Sequence, residues 1–254
     1  KKLGNPKGAR AVGAAVGLPE AHRVAREVLA MPFYGGLTAD DVEKICTILK
    51  GFAVPGKDDE VSVSIVTYNH EHFIAQAIES ALAQEVNFDY EILVGEDHSS
   101  DRTREIVCDY AARYPDRIRL FLHDYPEDHL RLNGKHNFVS NILNARGEYI
   151  AVLEGDDYWT DPLKLHKQVE FLDRHTECCA CFHNVRVLHE GSPEHDRIFP
   201  STPLKKKFFD LSDILSSHFI PTCSTMFRNG LYPSFPTWFY QAPMGDWPLH
   251  VFNA

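Results

Sequence analysis

The stretch EYIAVLEGDDYWTDP, residues 148–162, places three carboxylates directly after an apolar run. Glu154, Asp156 and Asp157 lie within four positions, where like charges repel one another and add nothing to stability. Carboxylates that stay ionised at such short range are typical of a divalent cation site, and oxygen ligands suit Mg²⁺ or Mn²⁺. A solvated acidic turn before a helix is the alternative. If strand alternation continues here, Glu154 and Asp156 point to one side and Asp157 to the other.

The segments on both sides of this stretch alternate between strand and helix patterns. Strands are predicted at 61–69, 90–97, 117–124, 148–157, 178–190 and 220–228, and helices at 71–84, 100–115, 135–145 and 161–175. Helices of ten or more residues between strands imply parallel pairing with right-handed crossovers. The predicted fold class is therefore α/β, a mostly parallel sheet flanked by helices. Open sheets of this kind bind ligands beyond the carboxyl ends of their strands.

The first part of the chain has a different character. Residues 1–17 are small, basic and rich in glycine, which predicts a flexible segment, and helices are predicted at 19–31 and 38–52. We therefore expect a flexible and helical N-terminal appendage over residues 1–57 and an α/β domain over residues 58–254. The first residue is not Met and the last residues are "LHVFNA", so we expect a fragment of a longer polypeptide, truncated at its C-terminal end.

Composition excludes several classes of function. The 254 residues carry a formal net charge of −10, which argues against broad binding of nucleic acid or of an anionic membrane surface. No apolar run approaches the roughly 20 residues of a membrane span. Six cysteines without a regular framework indicate a reduced, cytoplasmic setting. A zinc hypothesis is open for Cys178, Cys179, Cys181 and His183. Because the last three would lie in one line on one face of a strand, core thiols are favoured.

Polar residues follow three of the predicted strands at the point where each strand ends. The segments are TYN (67–69), GEDHSSD (95–101) and EGDD (154–157). The carboxyl ends of parallel strands meet at one edge of a sheet, so these segments are predicted to form a single site.

These motifs resemble those of family 2 glycosyltransferases with the GT-A fold, and the resemblance covers residues 61–254. It implies a metal-dependent, inverting enzyme that moves a sugar from a nucleotide-sugar of the UDP or dTDP type to a hydroxyl acceptor. The implied cofactor is Mn²⁺ or Mg²⁺. The implied acceptor is a glycan or lipid-linked intermediate of polysaccharide biosynthesis. The implied location is the cytoplasm, with peripheral association at the inner face of the membrane.

The resemblance also implies roles for individual residues. The nucleotide-binding residues would be Thr67, Tyr68, Asn69, Asp97, Lys135, Asn137 and Asp157. Asp97 matches the family position that hydrogen-bonds the pyrimidine, and a carboxylate can accept from the N3–H of uracil or thymine. Asp156 would be the main metal ligand, supported by Glu154. His98 stands where the family usually has Gly.

The general base implied by the resemblance is Asp246, in the segment MGDWPLHVF (244–252). An inverting transfer needs one base that takes a proton from the acceptor hydroxyl. Gly245 stands where the family commonly has Glu. The alternative is that Asp246 only caps the helix that follows it.

Residues 18–52 resemble the C-terminal end of PLP-dependent sugar aminotransferases of the DegT/DnrJ/EryC1 type, which implies a fused or partner sugar aminotransferase. Two other functions stay open. A nucleotidyltransferase usually has a Gly-rich, basic loop after its first strand, and TYNHEHF (67–73) lacks one. A degenerate sugar-nucleotide-binding or partner-docking module without catalysis would keep the donor residues and lose transfer.

Overall fold

The computed structural model describes residues 59–124, 134–201, 204, 206–231 and 234–254. The predicted appendage of residues 1–57, with its two helices and its aminotransferase-like stretch, lies outside the described residues.

The described part of the chain alternates strands and helices through its first two thirds and then turns to shorter elements. The strands are β1 Val61–Thr67, β2 Tyr90–Glu96, β3 Ile118–Leu122, β4 Tyr149–Glu154, β5 Ala180–Cys181, β6 Val185–Val187, β7 Arg197–Phe199 and β8 Met226–Arg228. The helices are α1 Ile74–Leu82, α2 Thr103–Arg113, α3 Lys135–Asn144, α4 Lys164–Arg174, α5 Leu211–Ser216, α6 Thr237–Gln241 and α7 Asp246–Asn253. Single 3₁₀ turns lie at Pro193–His195 and Thr222–Ser224.

Six strands form the central sheet in the order β3-β2-β1-β4-β8-β5, and β6 pairs with β7 in a separate antiparallel sheet. The first four strands of the order are parallel. The prediction of a mostly parallel α/β sheet flanked by helices is confirmed.

The apolar sequences of the central strands follow from their burial on both faces, as is usual for parallel strands covered by helices. On one face, α1, α2 and α4 pack against β1, β2 and β4 through residues such as Ile78, Val107 and Leu165. On the other face, α3, α6 and α7 contribute Phe138, Phe239 and Leu249 to a second cluster. The strand ends are therefore held between two packed layers, which fixes their positions relative to one another.

Several predicted strands are corrected by the structure. Residues 178–190 do not form one strand, because β5 and β6 belong to different sheets and are separated by Phe182, His183 and Asn184. Residues 220–228 form a strand only from Met226 onward, after the 3₁₀ turn. Parallel pairing is also wrong for this edge: β8 is antiparallel to both β4 and β5. The chain between β5 and β8 contains β6, β7 and the six-residue helix α5, and it is not the single strand-to-helix crossover that imposes a parallel direction.

The cysteines of this edge have core positions. Cys178 and Cys181 are partly buried and pack against the cluster that α1, α2 and α4 form with the sheet. Among the described residues, no helix is both long enough and apolar enough to cross a membrane.

Candidate active site

The ends of β1, β2 and β4 meet at one edge of the sheet. Thr67 pairs with Glu96 and Val66 pairs with Glu154 in the strand register. Beyond the strands, the Asp97 N–H donates to the Thr67 carbonyl at 3.0 Å, and the Gly155 N–H donates to the Val66 carbonyl at 2.9 Å. The three polar segments are thus joined by backbone hydrogen bonds.

A cavity of about 280 Å³ opens at this edge. Seven of the ten residues that the sequence assigns to the site line it: Thr67, Tyr68, Asp97, Lys135, Asn137, Glu154 and Asp246. Asn69, Asp156 and Asp157 lie outside this lining. The structure therefore brings nucleotide-binding, metal-binding and general-base candidates together in one cavity.

The side of the cavity between β2 and α3 is built from buried polar groups. Asp97, Lys135 and Asn137 are 4%, 3% and 1% exposed. Asn137 Nδ2 donates to the Gly95 carbonyl at 2.8 Å, and a Cβ at Gly95 would lie 1.8 Å from Asn137 Oδ1. Gly95 is thus required by the close approach of Asn137. The Lys135 amine donates to the Tyr240 carbonyl at 3.3 Å, which ties α3 to α6.

Asn69 connects two loops of the site. Its N–H donates to Ser99 Oγ at 3.0 Å, and its Oδ1 accepts from the Ser100 N–H at 2.8 Å. Asn69 and His98 both have positive φ, 53° and 60°. His98 therefore adopts the left-handed conformation that glycine tolerates best, which explains the glycine usual at this position in the resemblance.

The three carboxylates after β4 are not arranged as strand alternation predicted. A turn follows the strand, and the Asp157 N–H donates to the Glu154 carbonyl at 3.1 Å. Asp157 therefore turns back toward Glu154, and alternation does not continue. Ligand atoms of Glu154, Asp157 and Cys223 lie within 4.8 Å of one another. The Asp156 side chain is 53% exposed and lies 3.9 Å from His70 Nε2.

The electrostatics of these carboxylates reflect burial and mutual repulsion. Burial, with the charges of Asp157 and then Asp156, raises the pKa of Glu154 to about 8. Burial also raises the pKa of Asp157. Among the described residues, Glu154 Oε2 is a buried atom with no hydrogen-bond partner. A bound cation would satisfy this oxygen and offset the repulsion, so the donor set fits a divalent metal ion.

Asp246 lies at the first position of α7 and lines the same cavity. Gly245 is the N-cap residue, and no side chain caps this helix. Asp246 Oδ2 is 3.2 Å from His218 Nε2 and accepts from the Thr222 hydroxyl at 3.5 Å. The proposed alternative, in which Asp246 caps α7, has no supporting hydrogen bond.

Three residues of the site escaped the sequence reasoning. His70 lines the cavity and is 3.3 Å from Thr67 Oγ1, while His218 and Thr222 contact Asp246. His70 directly follows the TYN motif at the end of the first predicted strand, so the sequence could have placed it at the site. His218 comes from the irregular segment between α5 and the second 3₁₀ turn, where no periodic pattern predicts a fold.

The segment that carries His218 is also attached to α7. Trp247 Nε1 donates to the Ile214 carbonyl at 3.1 Å. His250, one turn beyond Asp246, is buried, and burial lowers its pKa to about 4. His250 therefore stays neutral beneath Asp246 at physiological pH.

Comparison with known proteins identifies the family. The model of the family described as "Glycosyl transferase family 2" matches residues 62–233 of this chain. The chain belongs to glycosyl transferase family 2. This confirms the resemblance that the motifs carried, together with the GT-A fold class it implied. The aminotransferase resemblance stays a prediction.

Two curated relatives match more than half of this family 2 chain. An uncharacterized protein of Mycobacterium tuberculosis (strain H37Rv) is 40% identical over 195 residues, which are 76% of this chain and 54% of that protein. The UDP-Glc:alpha-D-GlcNAc-diphosphoundecaprenol beta-1,3-glucosyltransferase WfgD of Escherichia coli is 34% identical over 132 residues, 52% of this chain and 48% of WfgD. The chain spans about half the length of these curated relatives.

Among solved structures, S. aureus TarS 1–349 matches 68% of this chain and 48% of its own, with 21% sequence identity and a TM-score of 0.49. A mannosyltransferase of Pyrobaculum calidifontis, solved with GDP-Man and Mn²⁺, matches 63% of this chain and 41% of its own, with 19% identity and a TM-score of 0.40.

Proposed function

We propose that this family 2 domain is a metal-dependent, inverting glycosyltransferase that uses a nucleotide-sugar of the UDP or dTDP type. The single observation that carries the proposal is the cavity where seven of the ten assigned residues meet. The nucleotide-binding candidates and the general-base candidate line the same cavity. An inverting transfer needs donor and base within reach of one sugar carbon, because the acceptor attacks from the side opposite the leaving group.

The nucleotide would bind along the ends of β1 and β2. Asp97 would accept from the N3–H of uracil or thymine, and its burial in a polar, low-dielectric environment strengthens that hydrogen bond. Tyr68 is 40% exposed at the cavity and offers an aromatic face to the base. Thr67, Asn69 and Asn137 would support the ribose side, Asn69 by holding the two loops together.

The metal ion, Mn²⁺ or Mg²⁺, would be held by Asp156 and Glu154, with Asp157 beside them. When bound, the ion neutralises charge that grows on the diphosphate as the bond to the sugar breaks. The Asp156 side chain is 53% exposed, and the buried Glu154 Oε2 atom has no hydrogen-bond partner in the part of the chain that the structure describes. Lys135 would add positive charge on the opposite wall.

Asp246 would take the proton of the acceptor hydroxyl. Proton transfer requires the base within hydrogen-bond reach of that hydroxyl, and Asp246 lines the cavity. His218 and Thr222 contact only Oδ2, so they hold the carboxylate in place through one oxygen. The other oxygen can then face the acceptor.

The acceptor that fits this proposal is a hydroxyl of a glycan or lipid-linked intermediate, with transfer at the inner face of the membrane. WfgD, by its name, acts on a diphosphoundecaprenol-linked sugar, which supports an acceptor of this kind. The aminotransferase-like residues 18–52 support a link between amino-sugar synthesis and transfer.

The test is a hydrolysis and transfer screen with UDP-, dTDP- and GDP-sugars, each with Mn²⁺ and with a chelator. We expect turnover of UDP- or dTDP-sugars that the chelator abolishes. Nucleotide binding without turnover of any donor would instead support the binding module. Absence of both binding and turnover would overturn the proposal.

A further inference from the structure

A second cavity, of about 570 Å³, lies at the end of the sheet opposite to the first cavity. Its lining includes Asn87 and Asp89, from the chain between α1 and β2, and Tyr114 and Arg117, from the chain between α2 and β3. It shares no residue with the lining of the first cavity. The seven residues of β2 separate the two ends by roughly 20 Å, at about 3.3 Å per residue. The second cavity is therefore not a part of the proposed transfer site.

The core beneath the second cavity holds its walls in place. Tyr90 is buried, and its hydroxyl donates to the Ala81 carbonyl at 3.0 Å. The Arg117 guanidinium lies over the Tyr90 ring, 4.8 Å from the ring centroid, in a cation–π contact. The Arg117 N–H also donates to the Tyr114 carbonyl at 3.0 Å, which closes the turn between α2 and β3. The cavity is therefore formed before any ligand binds, as is usual for small-molecule sites.

The polar groups of this lining have a hydrogen-bonding capacity that the described residues do not use. In the part of the chain that the structure describes, the exposed side chains of Asn87 and Asp89 make no hydrogen bond and no ion pair. The Arg117 guanidinium donates to the Tyr90 carbonyl at 3.5 Å, which leaves its other N–H donors available. Asp89 and Arg117 thus line one cavity without pairing with each other. Together with the Asn87 amide, they offer both donors and acceptors to a ligand.

The chemistry of the lining indicates which ligand it would bind. Tyr114 is 40% exposed and adds an aromatic surface, which can pack against the C–H groups of a sugar ring. The Asp89 carboxylate disfavours an anion and the Arg117 guanidinium disfavours a cation, so a neutral ligand with many hydroxyl groups matches this set. We propose that the second cavity binds a neutral oligosaccharide. The Tyr114 ring packs against one sugar, and Asn87, Asp89 and Arg117 bind its hydroxyls.

Such a site would keep a glycan attached to the domain while another part of the same glycan reaches the first cavity. A ligand held at one site has a raised effective concentration at a second site that it can span. The second cavity would therefore favour long acceptors over single sugars. This role rests on the proposed function, whereas the binding of the oligosaccharide does not.

The experiment is a titration of the full chain with maltotriose, cellotriose and triacetylchitotriose, followed by saturation-transfer difference NMR. We expect the wild-type chain to bind at least one of these three probes. Tyr114→Ala should weaken that binding by at least about tenfold, because it removes the aromatic surface. Asn87→Ala should weaken it by about 3–10-fold, the effect of one hydrogen bond. Phe208→Ala is the control, because its ring is 51% exposed and lies outside both cavity linings.

Three results would overturn the proposal: no binding of any of the three probes by the wild-type chain, unchanged binding in folded Tyr114→Ala and Asn87→Ala, or an equal loss of binding in Phe208→Ala. Thermal melts of each variant show whether it is folded. Failure of the proposed function is separable from these results. Turnover of a nucleotide-sugar without probe binding removes only the oligosaccharide site. Probe binding that depends on Tyr114, without any turnover, removes only the transferase proposal.

Discussion

The two sides of the cavity are stabilised in different ways. On the donor side, Asp97, Lys135 and Asn137 are at most 4% exposed and belong to the packed layer between β2 and α3. On the base side, the Asp246 and His218 side chains are 24% and 45% exposed. The donor side is therefore part of the core, whereas the base side is a set of polar contacts at the surface. Changes on the donor side should affect folding, and changes on the base side should affect activity alone.

The largest effect should come from the base side. Asp246→Asn keeps the size and a hydrogen-bond acceptor but cannot take a proton. Transfer should fall by about 10²–10⁴-fold, since positioned general bases contribute this much. UDP affinity and Tm should stay close to wild type. Initial transfer rates and nucleotide titrations of the same preparation measure both quantities. Transfer within threefold of wild type would remove Asp246 from the base role.

A matched pair of glycines compares the two sides directly. In Gly95→Ala the new Cβ would lie 1.8 Å from Asn137 Oδ1, whereas in Gly245→Ala its nearest neighbour is Lys135 Cγ at 3.8 Å. We expect Gly95→Ala to lower the free energy of unfolding by about 2–4 kcal/mol and Gly245→Ala to change it by less than about 0.5 kcal/mol. Urea denaturation of both variants measures this, and equal losses would contradict the comparison.

The donor side was also the better predicted side. Residues 61–69, 90–97 and 148–157 carry strand patterns that end in polar motifs, and parallel strands place such ends together. The base side depends on residues 211–224, where a six-residue helix, a 3₁₀ turn and irregular chain carry no clear period. His218 and Thr222 reach Asp246 across about 24–28 residues of this chain, which local patterns do not reveal.

The carboxylates Glu154, Asp156 and Asp157 also show that local sequence patterns do not reveal contacts with distant residues. The three acidic residues predicted a cation site, but strand alternation placed the wrong pair together. The turn after Glu154 sets Asp157 beside Glu154 and Cys223, and the Asp156 side chain is 53% exposed and lies outside the cavity lining. Cys223 was invisible to the sequence argument, because it is 66 residues further along the chain and comes close only through the antiparallel edge of the sheet.

His218 should act on the base side through Asp246. His218→Gln can still donate to Oδ2 but cannot carry a positive charge, so we expect kcat to fall by about 3–10-fold with KM for the donor unchanged. His72→Gln is the control, because His72 is 81% exposed and pairs with Glu71 at 3.5 Å. A similar loss in both variants would mean that the effect is not specific to the contact with Asp246.

A further prediction is a pH dependence of stability that comes from Glu154 at the end of β4. Folding raises the pKa of Glu154 from 4.5 to about 8, so the native state binds its proton more tightly than the unfolded chain. Its contribution to stability is complete below pH 4.5 and is lost as the pH rises through 8. In a buffer that contains a chelator, Glu154→Gln should raise the Tm clearly more at pH 8.5 than at pH 5, because only the carboxylate of the wild type loses stability over this range. A Tm difference that is the same at both pH values would contradict this.

The central claim, that the ends of β1, β2 and β4 bind a nucleotide together with a metal ion, is tested most directly by calorimetric titration of UDP with and without Mn²⁺. The account predicts binding that Mn²⁺ strengthens and that Asp97→Asn weakens by about tenfold or more, the effect of losing one charge-assisted hydrogen bond. UDP binding that is equal in Mn²⁺ and in chelator, and equal in wild type and Asp97→Asn, would contradict it.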